Sequence, residues 1–242
     1  MGEIMKQEQI DLVEELNQKL PELTVEQRIE LVARSQGPIV FSTSFGIEDQ
    51  VLTHIISQKN YPIWLFTLDT GRLFEETYEV WEKTLTQYPI EVKSFAPEAD
   101  DLKNLITEQG PNGFYQGLNQ RIACCSTRKI QPLKVALRGV RVWITGLRAQ
   151  QNHHRTQLTW ASIDQHHDLV KVNPLLDSSE AELYQWVNKN NIPVNKLHNQ
   201  GYPSIGCAPC TRAVPPGSDP RSGRWWWEQS HKECGLHLNS HS

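Results

Sequence analysis

Short, apolar, β-branched runs alternate along this chain with amphipathic stretches of helical length. PIVFSTSF, PIWLFTLDTG and RVWITGL each read as a buried strand followed by a turn. Between the first two runs, IEDQVLTHIISQK places Val51 and Ile55 on one stripe of a helix. Strands that alternate with helices of about 10–15 residues predict an α/β fold with a mainly parallel sheet flanked by helices.

The pattern divides the chain into three segments of one domain. Residues 1–36 read as an N-terminal helical segment, in which Thr24 and Gln27 form a capping box. Residues 37–200 contain the alternating strands and helices. Residues 201–242 change to Gly, Pro, Cys, Arg and Trp with little periodicity. We expect this irregular C-terminal tail to cover a functional site.

The charge and the hydropathy pattern limit the partners. The 242 residues have a formal net charge of −4, which disfavours a nucleic acid partner. No run approaches the roughly 18–20 consecutive apolar residues that span a bilayer, so no membrane segment is expected. The N-terminus is polar and acidic, unlike a secretory signal. We therefore expect a cytoplasmic protein, in a compartment that keeps thiols reduced.

Polar turns follow the first two predicted strands. In STSFGIED, Ser42 and Ser44 offer hydroxyls and Gly46 permits close backbone approach at a helix N-terminus, as in a phosphate cradle. The alternative is an ordinary turn whose serines cap the helix. In LDTG, Asp69 either holds a ribose or caps the next helix. Two polar turns at the same sheet edge favour a nucleotide.

Four of the five cysteines form two close pairs, Cys124 with Cys125 and Cys207 with Cys210. Four thiolates are a full ligand set for zinc or for an iron–sulfur cluster. Adjacent side chains diverge on a helix or a strand, which strains a single-ion site more than a cluster with several iron atoms. We therefore favour a 4Fe-4S cluster over structural zinc, and both over four buried structural cysteines.

Cys234 is left outside these pairs, in the run KECGLH. His231, Lys232 and His237 are cationic neighbours, which favour a thiolate and hence a nucleophile, whereas Glu233 opposes this effect. The alternative is an incidental surface cysteine.

As an ordered set, these motifs resemble a known family. The runs STSFGIED, LDTGRLFEETY, CCSTRKIQPL, TGLRAQQ, GCAPCTR, GRWWWE and KECGLH extend from about residue 38 to 238. The chain resembles the bacterial assimilatory adenylylsulfate reductases, within the larger group that includes phosphoadenylylsulfate reductases. The resemblance implies an adenine-nucleotide α-hydrolase-like fold. STSFGIED departs from the SGGxDS loop of ATP-pyrophosphatase relatives, so ATP cleavage is not expected.

The resemblance also implies a reaction. The two cysteine pairs indicate a cluster enzyme that uses adenosine 5′-phosphosulfate (APS). The Cys234 thiolate attacks the sulfate sulfur, AMP leaves, and an S-sulfocysteine remains. A separate thioredoxin or glutaredoxin then releases sulfite, which serves assimilatory sulfate reduction and cysteine biosynthesis. The cluster is expected to act structurally and electrostatically.

The resemblance assigns further residues to the site. Lys129 lies beside both the cluster and the substrate, as a catalytic cation. Arg155, Arg221 and Arg224 are expected to contact the phosphate and the sulfate. The residues expected to line the nucleotide pocket are Ser42, Ser44, Gly46, Leu68 and Gly146.

Three other functions compete with this one. The nearest is the same chemistry on 3′-phosphoadenosine 5′-phosphosulfate (PAPS). A zinc-stabilised, non-catalytic nucleotide-binding module is a different class of protein. A tRNA-modifying enzyme of the same fold would need an SGGxDS loop and a basic surface, and neither is visible in the sequence. The sequence leaves a homo-oligomer open.

Overall fold

The computed structural model describes residues 2–151 and 157–228, with side chains from residue 6 onward. A six-stranded sheet forms its centre. The strands are β1 (Ile39–Ser42), β2 (Ile63–Leu68), β3 (Val92–Phe95), β4 (Val142–Ile144), β5 (Ala161–Asp164) and β6 (Leu169–Val172). The α-helices in these ranges are α1 (Gly2–Lys19), α2 (Val25–Ala33), α3 (Ile47–Lys59), α4 (Glu75–Gln87), α5 (Ala99–Gln109), α6 (Leu118–Cys125), α7 (Gln131–Ala136) and α8 (Glu180–Asn190).

The strand order β3-β2-β1-β4-β6-β5 confirms the predicted α/β fold. All neighbours pair in parallel except β5, which runs antiparallel to β6. The strand order changes direction between β1 and β4, which opens a crevice at their carboxyl ends. The sequence did not predict β5, because this edge strand contains two polar residues and is only partly buried.

Apolar side chains fill both faces of the sheet. Because side chains alternate along a strand, Phe41 of β1 faces one side and Val40 the other. Phe41 belongs to the larger cluster, which α1, α2, α3 and α8 help to cover. Val40 belongs to a smaller cluster with Trp143 of β4 and Leu133 of α7. The sheet is therefore covered on two sides, and its carboxyl edge is left for a ligand.

The N-terminal helices close one edge of the sheet. A break near Pro21 separates α1 from α2 and, as predicted, Thr24 and Gln27 form the capping box of α2. Asn17 of α1 exchanges two hydrogen bonds with the backbone of Ala161 in β5, at 2.9 and 3.0 Å. This contact satisfies backbone groups of the edge strand.

Among the described residues, no helix has the length and apolarity needed to cross a membrane. The segment boundaries at 36 and 200 stay a prediction.

Candidate active site

A cavity of about 360 Å³ opens at the carboxyl ends of β1, β2 and β4. This edge is where open α/β sheets bind their ligands. The loops after these strands form one side, and the irregular segment 198–224 forms the other. The cavity brings together the predicted nucleotide-pocket residues and three of the predicted cations. They are Ser42, Ser44, Gly46, Leu68, Gly146, Lys129, Arg221 and Arg224.

The turn after β1 is shaped by Asp49. Its carboxylate accepts hydrogen bonds from Ser44 N at 2.6 Å and from Ser44 Oγ at 2.8 Å. Phe45 has a φ of 59°, a strained value for a residue other than glycine, and its buried ring stacks on Trp81. Gly46 begins α3 without a side-chain cap. The serines therefore do not cap the helix, and a carboxylate already engages the Ser44 donors.

Two glycines permit close approach between the cavity walls. A Cβ on Gly146 would lie 2.2 Å from Asp49 Oδ1, well inside van der Waals contact. On the opposite wall, a Cβ on Gly206 would lie 2.2 Å from Arg224 Nη2. Gly146 was predicted as a site residue and Gly206 was not, because the resemblance assigned a role to Gly146 alone.

Carboxylates line one side of the cavity. Glu48 Oε1 accepts from Arg148 Nε at 2.8 Å and from Gln151 Nε2 at 2.9 Å. Glu48 and Arg148 were not predicted as site residues, although they lie in the motif runs STSFGIED and TGLRAQQ. Glu180 and His198 also line this cavity. Arg155, which was predicted to contact the ligand, lies outside the described residues.

Cations line another part of the cavity. Lys129 comes from a π-helical turn at Ser126–Ile130 that joins α6 to α7, and π-turns are frequent at functional sites. Arg224 is buried, and its Nη1 lies 3.3 Å from Ser204 Oγ. Its Nε has no hydrogen-bond partner within the described ranges. A buried guanidinium with a spare N–H can donate to an anion. The cavity therefore suits a ligand with an anionic group at one end.

The four paired cysteines line a second, smaller pocket of about 20 Å³. Cys124 and Cys125 end α6, and the short turn Ala208–Cys210 presents Cys207 and Cys210. Cys124 is half-buried and the other three thiols are buried. Cys207 and Lys129 also line the larger cavity, so the two pockets share a wall.

The thiols of this pocket lie in an unequal electrostatic field. Burial alone would raise the pKa of Cys207, yet Lys129, a hydrogen bond from the Thr70 hydroxyl, Arg224 and Arg128 hold it below its usual value. Thr70 Oγ1 lies 3.3 Å from Cys207 Sγ. Burial and the nearby Cys207 raise the pKa of Cys210 to about 12. Burial also raises the pKa of Cys124, against the effect of Arg128. Thr70 and Arg128 were not predicted.

The donor set of this pocket fits a sulfur-ligated anionic group. Four thiols converge there, and Arg121, Arg128 and Lys129 line the same pocket. Trp225 also lines it, and its buried indole N–H lacks a hydrogen-bond partner among the residues described. Within these ranges, no three His, Cys, Asp or Glu side chains are grouped to hold a single metal ion. The four cysteines are thus brought to one place without forming a single-ion site.

The beginning of the irregular tail is anchored on this pocket. Trp225 is buried against Phe114, Cys207 and Cys210. Thr211 and Arg224 form an isolated antiparallel bridge that closes the loop between them. Cys234, the predicted nucleophile, lies outside the described residues.

Comparison with known proteins finds relatives of this chain. The phosphoadenosine phosphosulfate reductase domain matches residues 38–213. The adenosine 5′-phosphosulfate reductase of Agrobacterium fabrum is 46% identical over 224 residues, which are 92% of this chain and 86% of that protein. The enzyme of the same name from Allochromatium vinosum is 49% identical over 207 residues, 85% of this chain and 81% of that protein.

Solved structures share the fold. The phosphoadenylyl-sulfate reductase of Candida auris, in a phosphate complex, superposes with a TM-score of 0.72 at 23% identity, covering 84% of this chain and 96% of that one. The FMN adenylyltransferase of Candida glabrata gives 0.55 at 15% identity, over 95% of this chain and 78% of that one. These two likenesses support the adenine-nucleotide α-hydrolase-like fold alone. By its domain match and its curated relatives, the chain belongs to the phosphoadenosine phosphosulfate reductase family.

Proposed function

We propose that this protein is an oxidoreductase that reduces APS to sulfite and AMP in sulfate assimilation and cysteine biosynthesis. The names of the relatives at 46% and 49% identity support this substrate. The observation that carries the proposal is the shared wall between the nucleotide-sized cavity and the four-cysteine pocket, formed by Lys129 and Cys207. A cation and a thiol-rich pocket beside one nucleotide-sized cavity support this reaction.

The cavity offers separate environments for the two halves of APS. A volume of about 360 Å³ lies within the range of small-molecule sites. The polar turns after β1 and β4 suit the nucleoside, and Lys129, Arg221 and Arg224 suit the phosphate and the sulfate. These cations offset the repulsion between an incoming thiolate and an anionic substrate. Arg155 joins them as a proposed ligand contact.

The chemistry we propose begins with Cys234. Its thiolate attacks the sulfate sulfur, the S–O bond to the phosphate breaks, and AMP leaves with the bonding electron pair. The product on the enzyme is an S-sulfocysteine. One thiolate of a reduced thioredoxin or glutaredoxin then attacks the Cys234 sulfur and expels sulfite. The partner's second thiol resolves the mixed disulfide and regenerates the Cys234 thiol.

For the cofactor we propose one 4Fe-4S cluster, held by Cys124, Cys125, Cys207 and Cys210. The convergent thiols, the surrounding cations and the unpaired Trp225 N–H support this assignment. When bound, the cluster supplies a charged, sulfur-ligated group beside Lys129, so its role is structural and electrostatic. A structural zinc ion on the same thiols is the alternative.

The partners and location complete the proposal. We infer a cytoplasmic enzyme whose electron donor is a separate dithiol protein, and a homo-oligomer is compatible with it. The PAPS reductase alternative keeps the same chemistry, and the matching domain is named for phosphoadenosine phosphosulfate reductase. The ratio of kcat/KM for APS to that for PAPS distinguishes the two substrates.

The deciding experiment uses sulfur-labelled APS without a reductant. The wild-type protein should retain about one label per chain after denaturing gel filtration, and added thioredoxin should release it as sulfite. Cys234→Ser should retain none, while still binding AMP. A covalent label on Cys234→Ser would contradict the assignment of the nucleophile, and no label on the wild-type protein would contradict the reaction.

A further inference from the structure

Two aromatic side chains and an arginine form an exposed patch close to the chain leading to Cys234. Trp226 is 40% exposed and Tyr115 is 41% exposed. Their ring centroids lie 6.4 Å apart, and the guanidinium of Arg212 lies 4.8 Å from the Trp226 ring centroid. We call these three residues the aromatic patch. We propose that the aromatic patch docks the dithiol protein that releases sulfite, an inference that rests on the function proposed above.

The aromatic patch is held in a fixed shape. The Tyr115 hydroxyl donates to Pro209 O at 2.7 Å, and the Tyr115 ring packs edge-on against Trp227 at 4.6 Å between centroids. Trp225, next to Trp226 in the chain, is only 1% exposed. A surface that is already ordered loses little conformational entropy when a partner binds. Trp, Tyr and Arg are also the residue types that dominate binding energy at protein interfaces.

The position of the aromatic patch matches the reach of the nucleophile. Glu228 is the last residue of the described range, and Cys234 follows six residues later. Six residues span at most about 20 Å at roughly 3.3–3.6 Å per residue. A partner that reacts with Cys234 must therefore reach a point within about 20 Å of Glu228, and the aromatic patch is formed in part by Trp226, two residues before Glu228. A dithiol protein that attacks this sulfur must contact the surface around it, and the patch offers apolar area there.

The chain contains a matched control on the opposite edge of the sheet. Trp64 is 59% exposed, and the Lys93 ammonium lies 4.4 Å from its ring centroid. The Trp64–Lys93 contact is chemically similar to the contact between Trp226 and Arg212, because each places a cation over an exposed tryptophan ring. It lies near the amino end of β2, whereas the cavity lies at the carboxyl ends of the strands. Loss of Trp64 should therefore have no effect on a partner that docks near Cys234.

The test compares Trp226→Ala, Arg212→Gln and Trp64→Ala as anaerobic holoenzymes. It measures the KM for reduced thioredoxin, the rate of label transfer from APS in one turnover, and sulfite release by dithiothreitol. Trp226→Ala should raise the KM for thioredoxin at least about tenfold. Arg212→Gln, which keeps the tryptophan, should raise it in the same direction. Label transfer and dithiothreitol release should change less than about twofold, and Trp64→Ala should match the wild type.

Three results would overturn the docking surface. One is an unchanged KM for thioredoxin in both patch variants. Another is an equal loss of label transfer and of thioredoxin turnover in Trp226→Ala. That result would mean that the patch supports the reaction of Cys234 itself and not the docking of the partner. The third is a change in sedimentation mass with Trp226→Ala, which assigns it to a second copy of the chain. Failure of the wild-type protein to take up label would remove the proposed function itself, and the docking surface with it.

Discussion

Arg121 and Glu228 form a two-point ion pair in the interior of the protein. Arg121 Nε lies 2.9 Å from Glu228 Oε1, and Arg121 Nη2 lies 3.0 Å from Glu228 Oε2. The side chains are 3% and 9% exposed. Arg121 lies one turn before Cys125 on α6, and its guanidinium stacks on Trp225 at 4.8 Å. The pair therefore ties the helix that presents two cysteines to the start of the segment that leads to Cys234.

Glu228→Gln should lower the free energy of unfolding by about 3–5 kcal/mol, because it removes the carboxylate charge that forms the two-point pair with the buried Arg121. Anaerobic urea denaturation followed by tryptophan fluorescence measures the change. Glu79→Gln is the control, since the Glu79–Lys196 pair at 2.9 Å is exposed and its loss should leave the midpoint unchanged. Equal midpoints for Glu228→Gln and the wild type would contradict the prediction.

Gly146→Ala should weaken AMP binding at least about tenfold, because the added methyl overlaps Asp49 Oδ1 and displaces the carboxylate that holds Ser44. Overpacking of this kind also costs about 1–3 kcal/mol of stability. Calorimetric titration with AMP measures the affinity. Gly139→Ala serves as control: its φ of 74° is strained for alanine but its Cβ meets nothing within 4 Å. It should lose about 1 kcal/mol of stability and keep its AMP affinity. A wild-type affinity in Gly146→Ala would show that the turn tolerates the methyl.

Lys129→Ala should lower kcat/KM for APS by about 10²–10³-fold, the usual effect of removing a charge that stabilises a developing anion. The unfolding midpoint should change much less. Label transfer from APS in a single turnover is the measurement. Lys134→Ala, five residues further along and exposed, should transfer label at the wild-type rate. If the two variants react at the same rate, Lys129 does not take part in the reaction.

His198 should make the protein less stable in mild acid. Burial lowers the pKa of His198, against the raising effects of the Tyr202 carbonyl, Glu48 and Glu180. The unfolded chain then binds a proton at about pH 6.5 that the folded protein does not. Stability is therefore lost as the pH falls below about 6.5 and stops falling at the folded pKa.

The measurement for this effect is urea unfolding between pH 7.5 and 5.5. His198→Gln should lose less stability over this range than the wild type does. A steeper loss in His198→Gln than in the wild type would reverse the predicted sign.

Anaerobically purified protein should be brown and contain about four iron and four acid-labile sulfide ions per chain. Cys210→Ser should lose most of the iron, because it removes one of the four thiols in the small pocket. Colourless protein with one zinc ion per chain would favour the zinc alternative. Stoichiometric zinc in air-exposed samples alone does not count, since cluster loss in air leaves the thiols free.

The sequence predicted the parts of the fold that depend on buried apolar runs. Strands β1, β2 and β4 were predicted directly from PIVF, PIWLF and RVWI, since these runs are largely buried between helices. The edge strand β5 carries no such run, because exposure on one side removes the need for apolar residues. The π-turn at Ser126–Ile130 was also not predicted, since no characteristic amino-acid composition marks this backbone conformation.

Residues of the candidate site could be predicted where their type and spacing indicate a ligand-binding or metal-binding motif. The serines and the four paired cysteines stood out by type and spacing, whereas Lys129 was assigned by the family resemblance. The structure places these residues around two adjoining pockets. Contacts between distant parts of the chain did not stand out. A side chain at position 206 would overlap the guanidinium of Arg224, and the sequence does not show this contact. In the same way, the importance of Glu228 depends on its ion pair with Arg121, which only the structure shows.

The stacked pair Phe45 and Trp81 has a consequence for how this site changes over time. Phe45 holds a left-handed backbone conformation, and the packing of its ring on Trp81 of α4 offsets that strain from the core side. The shape of this turn at the candidate site is thus determined partly by a residue absent from the cavity wall. A substitution at Trp81 should alter the turn from the core side, so a survey of variants limited to wall residues would overlook this position.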